Sequence, residues 1–252
     1  MINRAFLAVF FVLVIAATAF AQSAEQHGYE LARRADAMTT GYGSLTASGE
    51  MVLRGGGTAT RRFDFKSLEV GGGSRSLLRF EWPGDIRGTA LLTHTKDGAR
   101  DSQWVFLAAN RRVKRISSSG RSGAFVGSEF AYEDMVDQEL DSFTYKLVGT
   151  EVCCNIVERY PRFSSGYTKH VVWFDRNTNL PQRIDYYDRR NAWVKTMDIS
   201  GYRNYGPAWR PRTMHMRNLL TDKSTTLTWS NYRFGAALRS GDFTTRALEL
   251  TR

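Results

Sequence analysis

The stretch Arg62-Phe63-Asp64-Phe65-Lys66, followed beyond the glycine run Gly71 to Gly73 by Leu78-Arg79-Phe80-Glu81-Trp82, decides the fold class. In both segments apolar side chains take every second position and polar or charged ones fill the gaps. Successive side chains of a strand face opposite sides, so this parity describes two half-buried strands, with the glycines suited to a hairpin end. Gly55 to Gly57 mark another such end. The same alternation recurs downstream. Val172 and Phe174 run into the turn Asp175 to Asn179, Ile184 and Tyr186 into Asp188 to Asn191, and Trp193, Lys195, Met197 and Ile199 share one parity. Met214 and Met216, then Leu227 and Trp229, mark two further strands. Roughly a dozen strands joined by short turns predict a mainly β (α+β) fold. Its centre is a large curved antiparallel sheet forming an incomplete β-barrel.

Two segments leave this pattern. From Glu25 to Met38 the apolar residues Leu31, Ala35 and Met38 recur at helical spacing, and Gly41 supplies a stop, which predicts an N-terminal helix. From Ser128 to Leu140 the side chains Ala131, Tyr132, Met135, Val136 and Leu140 fall on one helical face, while Glu133, Asp134 and Asp137 fall on the other. Ser128 suits an N-cap and Glu129 the first turn. This segment reads as a short helix that buries its stripe against the concave face and acts as a movable lid.

The N-terminus is organised differently. Arg4 precedes an apolar run from Ala5 to Ala17, with small residues at Ala19 and Ala21, the pattern of a secretory signal peptide over residues 1–21 cleaved before Gln22. The run is too short for a relaxed transmembrane span of about 20 residues. The expectation is export through the inner membrane and a single domain, 22–252, working in the periplasm. Removing residues 1–21 takes away one cation and no acid, which leaves 34 basic against 25 acidic side chains, a net charge of +9. Export makes nucleic acid an improbable partner and directs the positive field toward anionic headgroups or acidic protein surfaces. The cluster Arg111, Arg112, Lys114 and Arg115 is the candidate for that contact. Cys153 and Cys154 are adjacent, so the expectation is a buried thiol beside a reactive one rather than a bond between them.

The catalytic inventory is sparse. No nucleophile elbow, zinc-protease pair, phosphate loop or dinucleotide fingerprint occurs. His27, His94, His170 and His215 are spread too widely to suggest a metal set. Neither an enzyme, a cofactor nor a metal is expected. Aromatic and methionine side chains are plentiful instead, and a curved sheet with a plugging helix creates an apolar concavity able to hold an acyl chain. The candidate cavity residues are Phe80, Trp82, Trp104, Phe106, Phe130, Tyr132, Met135 and Val136.

The order of motifs carries a resemblance as well. Phe80-Glu-Trp-Pro-Gly-Asp-Ile-Arg-Gly-Thr-Ala-Leu-Leu92 is followed by Trp104-Val-Phe-Leu107, Arg111-Arg-Val-Lys-Arg-Ile116, Gly127-Ser-Glu-Phe-Ala-Tyr-Glu-Asp134 and the tail Asp242-Phe-Thr244. Together these resemble the outer-membrane lipoprotein-sorting protein family, in the branch similar to periplasmic carriers of the Lol pathway. The resemblance implies a half-barrel covered by helices, with a hydrophobic cavity for lipid or lipoprotein acyl chains. It also implies partners: an inner-membrane transporter of the resistance-nodulation-division (RND) or ABC type, and an outer-membrane acceptor. The competing function is a non-carrying accessory or sensor module of an RND-type exporter.

Overall fold

The computed structural model of the chain describes residues 23–249, so the stretch read as a signal peptide lies outside the described residues. Helix α1 covers residues 23–39 and carries the expected stripe, with Ala32 and Ala35 buried and Leu31 packed beside them. A first meander follows: β1 (Ser44–Arg54), β2 (Thr58–Val70), β3 (Gly73–Trp82), β4 (Ala90–His94), β5 (Ser102–Leu107) and β6 (Arg112–Arg115). A second runs through β7 (Phe143–Thr150), β8 (Cys154–Pro161), β9 (Tyr167–Asp175), β10 (Pro181–Asp188) and β11 (Trp193–Ser200). The small ribbon of β12 (Arg203–Asn204) and β13 (Trp209–Arg210) then leads to β14 (Thr213–Asn218), β15 (Ser224–Phe234) and the short α2 (Thr245–Glu249).

Strand β15 returns beside β1 and fuses the two meanders into one 13-stranded sheet, ordered β6-β5-β4-β3-β2-β1-β15-β14-β11-β10-β9-β8-β7. Every pairing is antiparallel, and β6 and β7 stay at opposite edges. The sheet is therefore the expected incomplete barrel. The alternation read from sequence sets its faces: Phe63, Phe80, Val172, Ile184, Met197 and Leu227 all enter one inner cluster, which Ala32 and Ala35 of α1 join. At the centre, Gly49 makes room for Phe63. A Cβ at that position would lie 2.1 Å from the Phe63 ring, which meets Phe80 and Trp229 edge-on at 5.8 and 5.3 Å. Helix α1 reaches the β7 edge by a similar device, since a Cβ on Gly28 would lie 2.8 Å from the Leu147 amide nitrogen.

Three expectations need correction. The cover over the inner face is present, but Ser128–Leu140 is not one α-helix. It is a strap of separate 3-10 turns, Phe125–Gly127, Tyr132–Met135 and Leu140–Ser142, with Val136 extended at φ −107°, ψ 141°. The reason is reach: the chain leaves β6 at one edge and enters β7 at the other, and an α-helix advances only about 1.5 Å per residue against about 3.3 Å for extended chain. Second, Cys153 and Cys154 are joined in a vicinal disulfide, with Cys154 on β8 buried at 2% exposure. Strand parity does not separate the sulfurs, because Cys153 lies in the bend before β8 begins.

The third correction concerns the outer face. Over β3 to β6 it is also covered, because Phe243 and Leu248 from the C-terminal segment pack on Leu77, Ala90, Leu92 and Phe106. Arg79 anchors that segment by donating to the Ala247 and Leu248 carbonyls at 2.9 and 3.2 Å. Strands buried on both sides lose the clean alternation, as the wholly buried run Ala90 to Thr93 does.

Candidate functional site

The strap is tied to the sheet on both sides. Toward the first meander, Gln103 Nε2 donates to the Tyr132 carbonyl at 2.8 Å and Thr95 Oγ1 donates to Glu139 Oε1 at 2.5 Å. Toward the second, Glu133 accepts from Ser165 Oγ at 2.6 Å and from the Gly166 amide at 2.9 Å. Asp134 Oδ2 accepts the Ala131 amide at 2.7 Å and the Tyr167 hydroxyl at 3.1 Å. Burial pushes the Asp134 carboxyl up to about 6 against the opposing pull of Lys195, and pushes Glu139 up to about 7 against the bond from Thr95.

Between strap and sheet lie two neighbouring cavities of about 310 and 170 Å³ that share Asp134, Val136, Asp137, Arg210, Pro211 and Met214 in their walls. The larger sits over β7 to β14 and is partly closed by α1. Antiparallel register arranges the inner-facing side chains there in rows. Val157, Val172, Ile184, Met197 and Met216 are successive partners across β8, β9, β10, β11 and β14. Two residues along the strands, the next row is Arg159, His170, Tyr186, Lys195 and Asn218. An apolar floor thus borders a polar one. The His170 ring lies 5.1 Å from Tyr167 and 4.8 Å from Tyr186, and the Arg159 guanidinium lies 4.6 Å from the Phe143 ring centroid. The chemistry on offer is desolvation of an apolar chain beside a few fixed donors.

The residues proposed from sequence separate. Met135 lines the smaller cavity and Val136 lines both. Phe80 and Phe130 are fully buried packing beneath the strap, Phe80 stacking on Phe125 at 5.7 Å, and Tyr132 meets Phe125 edge-on at 5.5 Å. Neither cavity has any of these three in its wall. Trp104 and Phe106 lie on the outer face in the cluster under α2, because their parity is opposite to that of Gln103, which reaches the strap. Trp82 is 44% exposed with the Arg62 guanidinium 5.1 Å from its ring. Arg111, Arg112, Lys114 and Arg115 are exposed at the β6 edge, where Arg115 donates to Ser102 Oγ at 3.3 Å and lies 5.8 Å from the Trp104 ring.

The wall of the larger cavity is instead supplied by second-meander side chains such as Phe143, Arg159, Tyr167, His170 and Ile199. Their sequence signal was parity alone.

Comparison with solved structures places this arrangement. A domain from Vibrio parahaemolyticus assigned to outer membrane lipoprotein sorting is 39% identical over 90% of this chain and 100% of its own, with a TM-score of 0.86. The chain belongs to the outer-membrane lipoprotein-sorting protein family. A DUF1329 family protein from Desulfovibrio piger is 29% identical over 89% of this chain and 99% of its own, with a TM-score of 0.85. A LolA superfamily protein from Nitrosomonas europaea shares the fold at 18% identity, covering 87% of this chain and 98% of its own, TM-score 0.71. A family model described as an uncharacterized protein matches residues 72–250. No curated protein matches the chain.

Proposed function

We propose that this protein is a periplasmic carrier that shelters an acyl chain of a lipid or lipoprotein between its inner sheet face and the strap. The observation that supports the reading is the apolar row Val172, Ile184 and Met197 in the wall of a cavity of about 310 Å³, within the range of about 300–1,000 Å³ typical of ligand pockets. Its tied but non-helical cover fits a strap that opens to admit cargo. Binding rather than catalysis follows from this wall. The exposed β6 edge with Arg111, Arg112, Lys114 and Arg115 is read as the face for an acidic partner, such as an inner-membrane exporter or an outer-membrane acceptor. Among the described residues no helix is long and apolar enough to cross a membrane.

Filling the cavity tests the proposal. Met197→Trp places an indole in the apolar row, and uptake of a fluorescent fatty-acid probe is expected to weaken at least tenfold while far-UV circular dichroism and the cooperativity of thermal melting stay native. Undiminished uptake by the folded variant means that the acyl chain, if bound, lies elsewhere.

A further inference from the structure

Because every pairing in the sheet is antiparallel, its hairpins gather at two ends. One end collects the β1–β2, β14–β15 and β10–β11 hairpins: Arg54 closing β1 and Arg217 closing β14 both pair with Ser224 at the start of β15, and Lys195 of β11 pairs with Asn218. At the tip of the β14–β15 hairpin stand Leu219 and Leu220, 37% and 73% exposed, and neither joins a hydrophobic cluster. The turn holds them there. Asn218 Oδ1 accepts the Leu220 and Thr221 amides at 2.9 and 3.3 Å, and the Asn218 amide donates to the Lys223 carbonyl at 2.8 Å. The Leu219 amide donates to the Val194 carbonyl of β11 at 2.9 Å. A leucine exposed singly is ordinary, but two displayed together on a fixed turn call for a partner.

The surroundings of this tip are cationic. Arg217 and Lys223 flank it on its own hairpin, Arg54 ends the neighbouring β1, and Arg189 and Arg190 occupy the turn between β10 and β11; all five are exposed. None of them forms an ion pair with a carboxylate among the described residues. Asp188 is spent on the Arg190 and Ala192 amides of its own turn, which leaves Asp222 as the acid of the tip. The Lys223 stem lies against the β1–β2 hairpin, where a Cβ on Gly55 would meet its Cγ at 2.3 Å. A protein partner would have to offer this protruding tip a matching concavity lined with acids. A bilayer yields to such a tip and surrounds it with anionic headgroups.

We propose that this end of the sheet docks on an anionic lipid surface, with Leu219 and Leu220 entering the interface and the surrounding cations resting on the headgroups. The site is separate from the basic β6 edge, since six strands lie between β14 and β6 in the sheet. It goes beyond the acyl-carrier reading and does not depend on it, because neither leucine lines either inner cavity. Docking in this way turns two fastenings of the strap toward the bilayer. Asn218 Nδ2 donates to the Glu129 carboxylate at 2.6 Å, and Arg189 Nε donates at 3.1 Å to the carbonyl of Ser165, whose hydroxyl holds Glu133.

The test is flotation of the purified protein with vesicles of phosphatidylglycerol and phosphatidylcholine, and with vesicles of phosphatidylcholine alone, at low and high salt. Binding to the anionic vesicles is expected to be at least tenfold tighter and to weaken as salt rises. Leu219→Ser and Leu220→Ser together should lower that binding at least tenfold, while uptake of a fatty-acid probe measured without vesicles matches wild type. Arg190→Gln with Lys223→Gln should lower it too and flatten its salt dependence. In the unsubstituted protein, amide exchange across residues 217–223 should slow when anionic vesicles are added, a readout that needs no variant to fold. Equal binding to both vesicles, no binding to either, binding undiminished by the two serines, or slowed exchange confined to the β6 edge overturns the docking proposal and leaves the carrier reading standing. Polyglutamate that binds as tightly as the anionic vesicles, and equally well to the serine variant, overturns the assignment of the tip to lipid. Vesicle binding without any probe uptake in the wild type overturns the carrier reading and leaves the docking surface standing.

Discussion

Asp134 shows how one strap residue links cover and cavity. Its carboxyl is raised from the ordinary 3.8 to about 6, so between about pH 4 and about 6 the folded protein holds a proton that the unfolded chain has released. Stability from this group is therefore greatest at low pH and is lost as pH rises through that window. Asp134→Asn should remove the dependence: relative to wild type, its melting temperature is expected to gain by several degrees between pH 4 and pH 7. Thermal melts at both pH values check this, and a variant-to-wild-type difference that ignores pH contradicts it. Individual residues were unevenly legible. Phe63, Val172, Ile184 and Met197 declared their face by parity, whereas Trp104 and Phe106 looked like cavity residues until the C-terminal segment, far away in sequence, was found covering the outer face. Nothing local distinguishes His170 from an ordinary strand histidine. Its hydrogen-bond partner, Arg159, is brought alongside only by the register between β8 and β9.

The strap is the element whose conformation the sequence misrepresented. Its apolar spacing fits a helix, yet a 13-residue helix is marginal in isolation, and its polar groups are spent elsewhere. The Asp134 carboxylate turns back on the Ala131 amide, and Glu129 and Glu133 bond to the second meander. Crossing the inner face from β6 to β7 requires extended chain, a demand set by sheet order rather than by local propensity. If the strap opens to admit cargo, its ties set the rate. Glu133→Ala deletes the bonds to Ser165 and Gly166 and is expected to speed both strap amide exchange and acyl-probe uptake by a few-fold or more, since each bond to a charged group contributes about 1.5–3 kcal/mol. Faster exchange with unchanged uptake would place the entry route away from this tie.

On the scale of the whole molecule, the half-barrel was readable because alternation and turn residues agree along nearly the entire sheet. Asp175 and Asp188 each accept two backbone amides within their own turn, so the hairpins are specified locally. The pairing of β15 with β1, which joins the halves, has no local signal. The basic β6 edge belongs to this scale too. Exposed charges contribute little to stability but raise association rates with acidic partners in a salt-dependent manner. Replacing Arg111, Arg112 and Lys114 together by Gln should leave the melting temperature within about 2 °C of wild type and weaken low-salt binding to anionic vesicles or to an acidic partner, with a shallower salt dependence. Collapse of melting with binding preserved would make these side chains structural.

The central claim, that the inner cavity carries an acyl chain, is tested most directly by native mass spectrometry of the protein purified from its own host cells. The expected spectrum shows the chain with an added mass of an acyl lipid that is lost on denaturation and absent from Met197→Trp. A chain without adduct in the wild type, or an adduct that Met197→Trp retains unchanged, contradicts the account.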